Sequence, residues 1–462
     1  MPKKKTALTI EERLQQALVP AEEQPYEVPE NWVWVRLGEV TKVVGGGTPS
    51  TSKKEYYDEG NISWLSPVDL SNYNGIYISR GNKMITLEGL NNSSAKLLPK
   101  DTVCLTSRAP IGYVAIAEKE LCTNQGFKSF LPSPTYLAKF LYWYLKGNKE
   151  LLESKASGTT FLELSASKAA TIEFPLPPLS EQQRIVERIE ELFAKLDEAK
   201  ERLQEVADSF AVRKAAILHK AFTGELTKQW RRENGVSDES WEESNLGSFI
   251  ACGPQNGLYK PKSSYGDGIR IIRIDAFYDG VIEQWDELKR LRLDENEIKC
   301  YSLNLNDILI NRVNSMQYLG KSALVRELKD ACVFESNIMR LSVDESRIYP
   351  EFLISFLNSQ MGLNELRKNA KQAVNQASIN QQDIKNVIIN LPSLPEQHEI
   401  VRLIDELLAR ERAAQQAAEQ ALASIDLMKK SILARAFRGE LGTNKASEAS
   451  ALELLQQVLA EN

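Results

Sequence analysis

The chain has 462 residues, a net charge of −6 at pH 7 and 42% hydrophobic residues, so it can bury the cores of two or three domains. The acidic balance argues against a protein that coats nucleic acid non-specifically, because such proteins usually carry a broadly basic surface. Five cysteines without a CxxC pair argue against a disulfide framework and a thiolate metal site. The lack of an apolar leader or a membrane-length apolar run favours a cytoplasmic protein with no membrane partner.

Six segments are predicted in chain order from the spacing of apolar residues and from glycine and proline positions. Two globular domains alternate with two long helices, and a helical segment lies at each end. The predicted bounds are 1–27 for the N-terminal helical extension, 28–175 for the first domain, 176–230 for the first long helix, 241–390 for the second domain, 391–441 for the second long helix and 442–462 for the C-terminal helical tail.

The two globular domains have the pattern of mixed α/β structure. Short apolar runs bounded by glycine, proline and asparagine predict strands, among them Asn61–Leu65, Thr102–Thr106 and Asp307–Asn311. Longer apolar segments at Tyr136–Leu145 and Glu351–Leu357 predict helices. The expected fold class is therefore α+β, with two mixed α/β domains separated by two long antiparallel coiled-coil helices in a pseudo-twofold repeat.

The two long helices are copies of one another. Leu176–Leu226 aligns with Leu391–Leu441 at a constant offset of 215 without gaps, and 21 of the 51 pairs are identical. The copies open with the sequences PLPPLSEQ and LPSLPEQ and close with AFTGEL and AFRGEL. The preceding domains are more distant relatives, in which we expect three corresponding pairs: Trp34 with Trp241, Asp101 with Asp307, and Arg108 with Arg312.

Apolar and small residues in both helices recur at alternating steps of three and four, which is the spacing of a coiled-coil seam. Large residues in the middle of the first seam would face alanines in the second, so that the helices could pack closely. Glu411 interrupts the second seam. The predicted packing residues are Ile185, Ile189, Leu192, Leu196, Leu203 and Val206 in the first helix and Ile400, Ile404, Leu407, Ala414, Ala418 and Ala421 in the second.

The order of the segments sets the direction of the helices. The second domain follows the end of the first helix, so a second helix that leaves this domain must run back in order to pack along the first. We therefore expect an antiparallel pair that holds two similar domains at a set distance. Each helix of about 40 residues would be about 60 Å long at 1.5 Å per residue.

The proline-rich start followed by Glu-Gln, the long helix and the AF-x-GEL ending, all present twice, resemble the specificity subunits of type I restriction–modification systems. The resemblance extends from about Pro29 to Leu441, and the tail Ser447–Leu459 is similar to that family's tail as well. It implies that each globular domain is a target-recognition domain that reads one half of a bipartite DNA sequence. The helical pair would then fix the spacing between the halves.

The same resemblance implies the partners. The helical pair would dock two adenine methyltransferase subunits that bind S-adenosylmethionine, and motor-nuclease subunits that use ATP and magnesium would add DNA cleavage. This chain would bind double-stranded DNA but none of these cofactors, and it would contain no catalytic or metal-binding residues. The sequence agrees with this expectation, since it has no HExxH motif and no Asn-Pro-Pro-Tyr-like box.

Base reading uses Arg or Lys for guanine and Asn or Gln for adenine, and loops that follow strands commonly carry such residues. Any one of them could equally be a solvated loop residue. Arg108 and Arg312 are favoured because each domain has an arginine after a comparable predicted strand. The candidate DNA contacts are Lys53, Lys54, Arg108, Asn124 and Gln125 in the first domain and Lys260, Lys262, Arg312, Asn314 and Asn337 in the second.

Two other functions stay open on the sequence alone. A coiled-coil scaffold or adaptor without nucleic-acid recognition would show no sequence-selective DNA binding in any assembly. An enzyme with its site in the globular domains would show turnover by the isolated chain.

Overall fold

The computed structural model describes residues 9–108, 110–158, 162–374 and 376–461. Of the two predicted terminal segments, residues 1–8 and 462 lie outside this description. The chain divides into two compact units: unit 1 comprises residues 1–202 and 421–462, and unit 2 comprises residues 203–420. Each unit therefore contains one globular domain and a part of each long helix.

Unit 1 begins with a mixed α/β domain. Its strands are β1 (Val33–Arg36), β2 (Val43–Gly45), β3 (Ile62–Leu65), β4 (Tyr77–Ile78), β5 (Lys83–Ile85), β6 (Val103–Ser107), β7 (Ile111–Ala117), β8 (Cys122–Thr123), β9 (Phe127–Phe130) and β10 (Glu173–Leu176). Its helices are α1 (Ile10–Ala17), α2 (Leu37–Val40), α3 (Leu87–Asn91), α4 (Ala138–Gly147), α5 (Lys149–Lys155) and α6 (Ala166–Ala170).

A five-stranded sheet of order β2-β9-β6-β7-β4 forms the centre of this domain, and β4 is its one parallel strand. The central strand β6 is buried along its whole length, including the polar Thr106 and Ser107 at its end. The antiparallel pair β1 and β10 joins the start of the domain to its end. Helix α4 buries its consecutive residues Phe140–Leu145 against the sheet and the long helices.

The first long helix has two parts, α7 (Leu179–Asp208) and α8 (Phe210–Phe222), whereas the sequence predicts one continuous helix. The division falls at Ser209. The carbonyl of Val206 accepts hydrogen bonds from Ser209 Oγ and from the Arg213 guanidinium, each at 3.1 Å. Side-chain bonds of this kind compete with the helical backbone ladder and interrupt it.

Unit 2 contains the second mixed α/β domain. Its strands are β11 (Glu242–Asn245), β12 (Ile250–Asn256), β13 (Tyr265–Ile272), β14 (Phe277–Tyr278), β15 (Val281–Ile282), β16 (Arg290–Leu291), β17 (Ile308–Asn311), β18 (Val313–Asn314), β19 (Ser322–Leu324), β20 (Cys332–Phe334), β21 (Ile338–Val343), β22 (Lys371–Ala373), β23 (Gln376–Ser378) and β24 (Ile388–Leu391). Its helices are α9 (Lys228–Glu233), α10 (Glu295–Tyr301), α11 (Pro350–Leu357), α12 (Gln360–Arg367) and α13 (Gln381–Lys385).

The second domain repeats the plan of the first. Its central antiparallel sheet has the order β12-β21-β17-β19, and β11 pairs with β24 as β1 pairs with β10. Ser165 caps α6 through the Lys168 amide, and Asn380 caps α13 through the amides of its second and third residues. These matching elements confirm the predicted repeat of two mixed α/β domains.

The second long helix is α14 (Leu394–Ala436), and the tail contains α15 (Ala451–Glu461), which packs against α1 within unit 1. In unit 1, Asp197 pairs with Lys429 at 2.5 Å; in unit 2, the Arg213 guanidinium pairs with Glu411. Within unit 1, Glu181 at the start of α7 meets Asn444, which follows α14; within unit 2, Thr227, which follows α8, meets Glu396 at the start of α14. The predicted antiparallel packing of the long helices is therefore confirmed.

Candidate nucleic-acid interface

Each long helix is fixed to its own domain by a buried glutamine in its first turn. Gln182 Oε1 accepts the backbone amide of Leu137 at 2.8 Å, and its Nε2 donates to the carbonyls of Pro177 at 2.9 Å and Thr135 at 3.0 Å. Gln397 makes the matching bonds in unit 2 with the Tyr349 amide at 2.7 Å and the carbonyls of Pro392 and Arg347 at 2.9 and 3.2 Å.

The glutamate that precedes each glutamine holds the segment that follows the other long helix. In unit 1, the fully buried Glu181 accepts hydrogen bonds from Trp32 Nε1 at 2.9 Å, Asn444 Nδ2 at 2.8 Å and Thr443 Oγ1 at 3.4 Å. Burial raises the pKa of Glu181 above its ordinary value, although these donors oppose the shift. The three hydrogen bonds to this carboxylate come from uncharged donors, and the positive charge of Arg184 also lowers its pKa.

The equivalent glutamate of unit 2 has a charged partner. Glu396 is fully buried, and its Oε1 accepts hydrogen bonds from Thr227 Oγ1 at 2.6 Å and from the Arg231 guanidinium at 2.7 Å. Both donors follow the end of α8, just as Thr443 and Asn444 follow the end of α14. The Glu-Gln dipeptide therefore joins the same three parts in both units: a domain, the start of its own helix and the end of the other helix.

The strand registers correct the predicted match between Trp34 and Trp241. Val33 pairs with Leu176 at the start of β1, and Glu242 pairs with Leu391 at the start of β11. Since the two helix copies are offset by 215, Trp241 occupies the position of Trp32, the donor to Glu181.

The helix seam agrees with the predicted packing residues at some positions and differs at others. Ile185, Ile189, Ile400, Ile404 and Ala418 are buried, and Leu192, Leu196, Leu203, Leu407 and Ala421 are partly buried. Val206 and Ala414 are exposed, so the packing role predicted for these two residues is wrong.

The burial pattern of the second helix runs one residue later than the predicted seam over part of its length. Leu408 is buried in the core of unit 2 and Gln415 is partly buried, whereas Leu407 is partly buried and Ala414 is exposed; Glu411 and Ala418 fit both patterns. The Arg213–Glu411 pair occupies the seam at the position where the sequence showed an unexplained charge. A polar pair inside a helical seam satisfies both charges and also fixes the register.

The strand registers also correct the predicted equivalence of Arg108 with Arg312. The amide of Ser107 donates to the carbonyl of Gly126, and its carbonyl accepts the amide of Leu164; Arg312 makes the same two bonds with Asn337 and Ile379. Arg312 therefore stands at the position of Ser107, and Arg108 corresponds to Val313. At the other end of the strand, Asp101 and Asn306 share a φ of 65°, so Asp307 corresponds to Thr102 rather than to Asp101.

In unit 1, charged side chains gather at the end of the central strand β6. Lys128, on the neighbouring strand β9, is 8% exposed, and its Nζ lies 3.2 Å from Ser107 Oγ and 3.4 Å from Glu163 Oε1. Arg108 lies 3.9 Å from the other oxygen of Glu163. We call Ser107, Arg108, Lys128 and Glu163 the strand-end cluster of unit 1. Lys128 is absent from the predicted DNA contacts because it lies within a short strand rather than in a loop.

Unit 2 has an arginine at the same place. The Arg312 guanidinium donates to the carbonyl of Ser336 at 3.0 Å, while its Nε makes no hydrogen bond with the described residues. The adjacent Asn311 is fully buried, and neither of its side-chain polar atoms has a partner in the described parts of the chain. Arg312, Met339 and Ser378, with Val313, form the strand-end cluster of unit 2.

The remaining candidates of the first domain lie on two loops that meet. The Thr48 hydroxyl bonds the exposed Gln125 side chain, and Asn124 Oδ1 accepts the amide of Gly126 at 2.8 Å. Gly46 permits this approach, because a Cβ there would lie 2.0 Å from the Asn124 carbonyl oxygen. Further along the first loop, Lys53 and Lys54 are exposed, and Lys53 Nζ lies over the Tyr56 ring at 4.9 Å.

The candidates of the second domain are more dispersed. Lys260 is paired with Glu297 at 2.5 Å, whereas Lys262 is exposed. Asn314 lies on β18, and its side chain accepts the following amide at 2.8 Å. Asn337 contacts Arg312 through its backbone carbonyl at 2.8 Å. The structure therefore brings Arg312 and Asn337 together and leaves Lys260 with a carboxylate partner.

Two features expected of other protein classes are absent from the described residues. No group of three or more His, Cys, Asp or Glu side chains in this part of the chain could hold a metal ion. Within the same residues, no helix has the length and apolar character needed to cross a membrane.

Comparison with known proteins identifies the repeated domains. The family model of the type I restriction modification DNA specificity domain matches residues 29–208 and 238–421. The specificity subunit of the type I restriction enzyme StySPI from Salmonella potsdam is 29% identical over 455 residues, which cover 94% of this chain and 96% of that protein. The MjaIX specificity subunit from Methanocaldococcus jannaschii is 34% identical over 299 residues, covering 60% of this chain and 65% of that protein.

A solved structure has the same fold. The crystal structure of the HsdS subunit from Thermoanaerobacter tengcongensis matches with a TM-score of 0.63 at 22% identity, over 91% of this chain and 100% of that chain. The family match covers both repeats, each with its domain and most of the helix that follows. The chain therefore belongs to the type I restriction–modification DNA specificity family: it is a specificity subunit, the non-catalytic component that recognises the DNA target.

Proposed function

We propose that the chain recognises a double-stranded DNA target of two separated half-sites, with residues 28–175 reading one and residues 241–390 reading the other. The duplicated Glu-Gln connection is the observation that supports this most directly. A domain joined both to its own helix and to the end of the other helix would present its loops in a defined direction. Two such domains would present two similar sets of loops to two stretches of one DNA molecule.

The DNA contacts would come from the loops and strand ends already described. The chain is acidic overall, so its attraction to phosphate must come from locally placed cations rather than from a broad basic surface. The proposed contacts are Lys53, Lys54, Arg108, Asn124 and Gln125 in the first domain and Lys262, Arg312, Asn314 and Asn337 in the second. Lys260 would contribute only after release from Glu297.

The partners would use the helical segments 176–230 and 391–441. Two adenine methyltransferase subunits would dock there, together with motor-nuclease subunits in the cleaving complex, in the cytoplasm. S-adenosylmethionine, ATP and magnesium would bind to those subunits. The terminal segments 1–27 and 442–462 would support the first domain, because α1 and α15 pack together in unit 1.

Methylation-site sequencing of the host genome tests this function. With the gene intact, we expect methyladenine in a motif of two defined halves separated by a gap of constant length. Deletion of the gene should remove that motif and no other. A motif that persists after deletion, or one without a gap, would contradict the proposal.

A change in helix length tests the spacing role separately. Four residues inserted into both long helices add about 6 Å to each at 1.5 Å per residue, so the gap should lengthen by about two base pairs while both halves stay the same. Four alanine substitutions at the same exposed positions provide a control of unchanged length. An unchanged gap in a folded insertion variant would show that the helices do not set the spacing.

A further inference from the structure

Lys128 and Met339 occupy the same position in the two domains. Lys128 pairs with Leu105 across β9 and β6, and Met339 pairs with Ile310 across β21 and β17. Leu105 and Ile310 each lie two residues before the corresponding pair Ser107 and Arg312. Lys128 is therefore the diagonal neighbour of Ser107, as Met339 is of Arg312, and diagonal neighbours lie on one face of a sheet within reach of long side chains.

The positive charge at this place comes from different strands in the two units. In unit 1 the central strand carries the neutral Ser107, and the ammonium group reaches it from Lys128 on the next strand at 3.2 Å. In unit 2 the central strand carries Arg312, and the neighbouring position is the neutral Met339. Both units therefore have one cation at this place, although the residues differ at both positions: Ser107 and Lys128 in unit 1, Arg312 and Met339 in unit 2.

The other two positions of the strand-end cluster change in a balanced way. Arg108 corresponds to Val313, and Glu163 corresponds to Ser378, because each pair forms the same strand bridge. Unit 1 therefore has two cations and one carboxylate, while unit 2 has one cation and no carboxylate. Both clusters carry a formal net charge of +1 although they share none of the four residues.

We propose that Lys128 supplies in the first domain the positive charge that Arg312 supplies in the second, and that it is a specificity-determining residue for the half-site read by the first domain. This inference rests on the proposed function. A nearly buried ammonium group is costly to desolvate, and its ion pair with Glu163 is long at 3.4 Å. Met339 shows that this position accepts an apolar side chain, so packing alone does not require a lysine.

The location of the two cations fits contact with DNA. Each lies beside the turn that carries predicted base-reading amides, Asn124 and Gln125 in unit 1 and Asn337 in unit 2. A cation at such a place can bind a phosphate or the acceptor edge of guanine. Arg108 would then share Glu163 with Lys128 and act beside it rather than as the counterpart of Arg312.

Lys128→Met, which copies the residue of unit 2, tests the inference in the full chain co-expressed with its methyltransferase. The readout is the methylation motif of the host genome. We expect methylation of the original motif to fall roughly tenfold, with relaxed base preference confined to one half. Arg312→Met should produce the same kind of change confined to the other half. If Lys128→Met leaves both halves intact, the inference is wrong.

Lys100→Met is the matched control, because Lys100 is exposed near the opposite end of β6 and its loss changes the net charge equally. This control should retain the wild-type motif and rate. An equal loss of methylation in both lysine variants would mean that Lys128 acts only through the overall charge of the chain, and it would overturn the inference. Absence of a bipartite motif in the wild type would instead contradict the proposed function.

The double variant Ser107→Arg/Lys128→Met separates a specific role from a folding defect. It moves the cation to the central strand, as in unit 2, while Arg108 and Glu163 stay in place, so methylation should recover, with any change of target confined to the affected half. A double variant that melts like the wild type but shows no recovery would contradict the inference. If Lys128→Met does not fold, Lys128→Gln replaces it, because it also removes the charge, and an unchanged motif in the folded glutamine variant would be the contrary result.

Discussion

The two units differ where α4 and α11, the equivalent helices of the two domains, meet the long helices. Aromatic contacts establish this correspondence, because Phe222 and Phe437 occupy the same position in the two helix copies. The ring centroids of Phe140 and Phe437 lie 5.2 Å apart in unit 1, and those of Phe352 and Phe222 lie 5.5 Å apart in unit 2. Three residues after the phenylalanine, unit 1 has Trp143, and unit 2 has Ser355 at the same position.

Because of this difference in side-chain size, the site is filled in unit 1 and is an open groove in unit 2. Trp143 is 6% exposed and meets the edge of Phe193 on α7 at 5.1 Å. In unit 2, Ser355 and Leu408 take these two positions, and a groove of about 340 Å³ lies beside them. The repeat therefore preserves the connections that orient each domain, while the surfaces between those connections diverge.

The largest loss of unfolding free energy is expected from substitutions at the two Glu-Gln connections, which differ in the charge of the donor to the buried glutamate. Arg231→Met leaves the buried Glu396 with Thr227 as its remaining donor, and removing one partner of a buried ion pair costs about 3–5 kcal/mol. Asn444→Ala in unit 1 removes an uncharged donor from Glu181 and should cost about 2 kcal/mol. Hydrogen exchange of the amides in each unit measures both losses separately.

Arg232→Met is the control for this comparison, since Arg232 is the exposed neighbour of Arg231. It should change the exchange rates of unit 2 very little. Equal losses in the Arg231 and Asn444 variants would mean that the charge of the buried partner does not distinguish the two connections.

A smaller difference is expected from the groove. Trp143→Ala should destabilise unit 1 by about 3 kcal/mol, because it removes a large side chain from a closely packed site. Ser355→Ala at the equivalent position should change unit 2 by less than about 0.5 kcal/mol. Chemical denaturation monitored in each unit measures the loss of unfolding free energy in both variants. Similar losses at the two positions would show that the groove of unit 2 is packed as closely as the filled site of unit 1.

The smallest effects concern pH, and their directions are opposite. Burial raises the pKa of Glu181, so the protonated carboxyl group favours the folded state of unit 1. This stabilisation is complete below the ordinary carboxyl pKa and is lost as the pH rises through the raised pKa. Burial lowers the pKa of Lys321 to about 8, so unit 2 should gain stability as pH rises from 8 towards 10.5. Glu181→Gln and Lys321→Met should each remove one trend, and persistence of a trend in its variant would assign it to another group.

The sequence predicted the structure correctly where the signal was local or repeated. The strand at Asp307–Asn311 and the helix at Glu351–Leu357 appear as β17 and α11 with small shifts at their ends. The duplicated helix revealed the two-part organisation, because apolar spacing over about 40 residues has few other interpretations. For the candidate DNA-binding residues, the structure shows where the side chains lie. Their contacts with DNA stay predictions.

The seam of the second helix was only partly predictable. Leu407 and Leu408 are both leucines, so a seam through either residue fits the apolar pattern, and the alanines around 414 do not decide between them. The choice depends on what packs against the helix: Leu408 is buried in the core of unit 2, whereas Leu407 is only partly buried. Non-local packing of this kind cannot be read from one helix alone.

The sequence by itself determined the repeat, the helices, the mixed α/β domains and the family, because each depends on residue spacing along one segment. The tertiary structure alone decided which residues of the two domains correspond. Ser107 and Arg312 are matched by hydrogen bonds to segments far along the chain, and Lys128 comes to Ser107 from another strand. A side chain's neighbours across a sheet depend on strand order and register, which no short stretch of sequence contains.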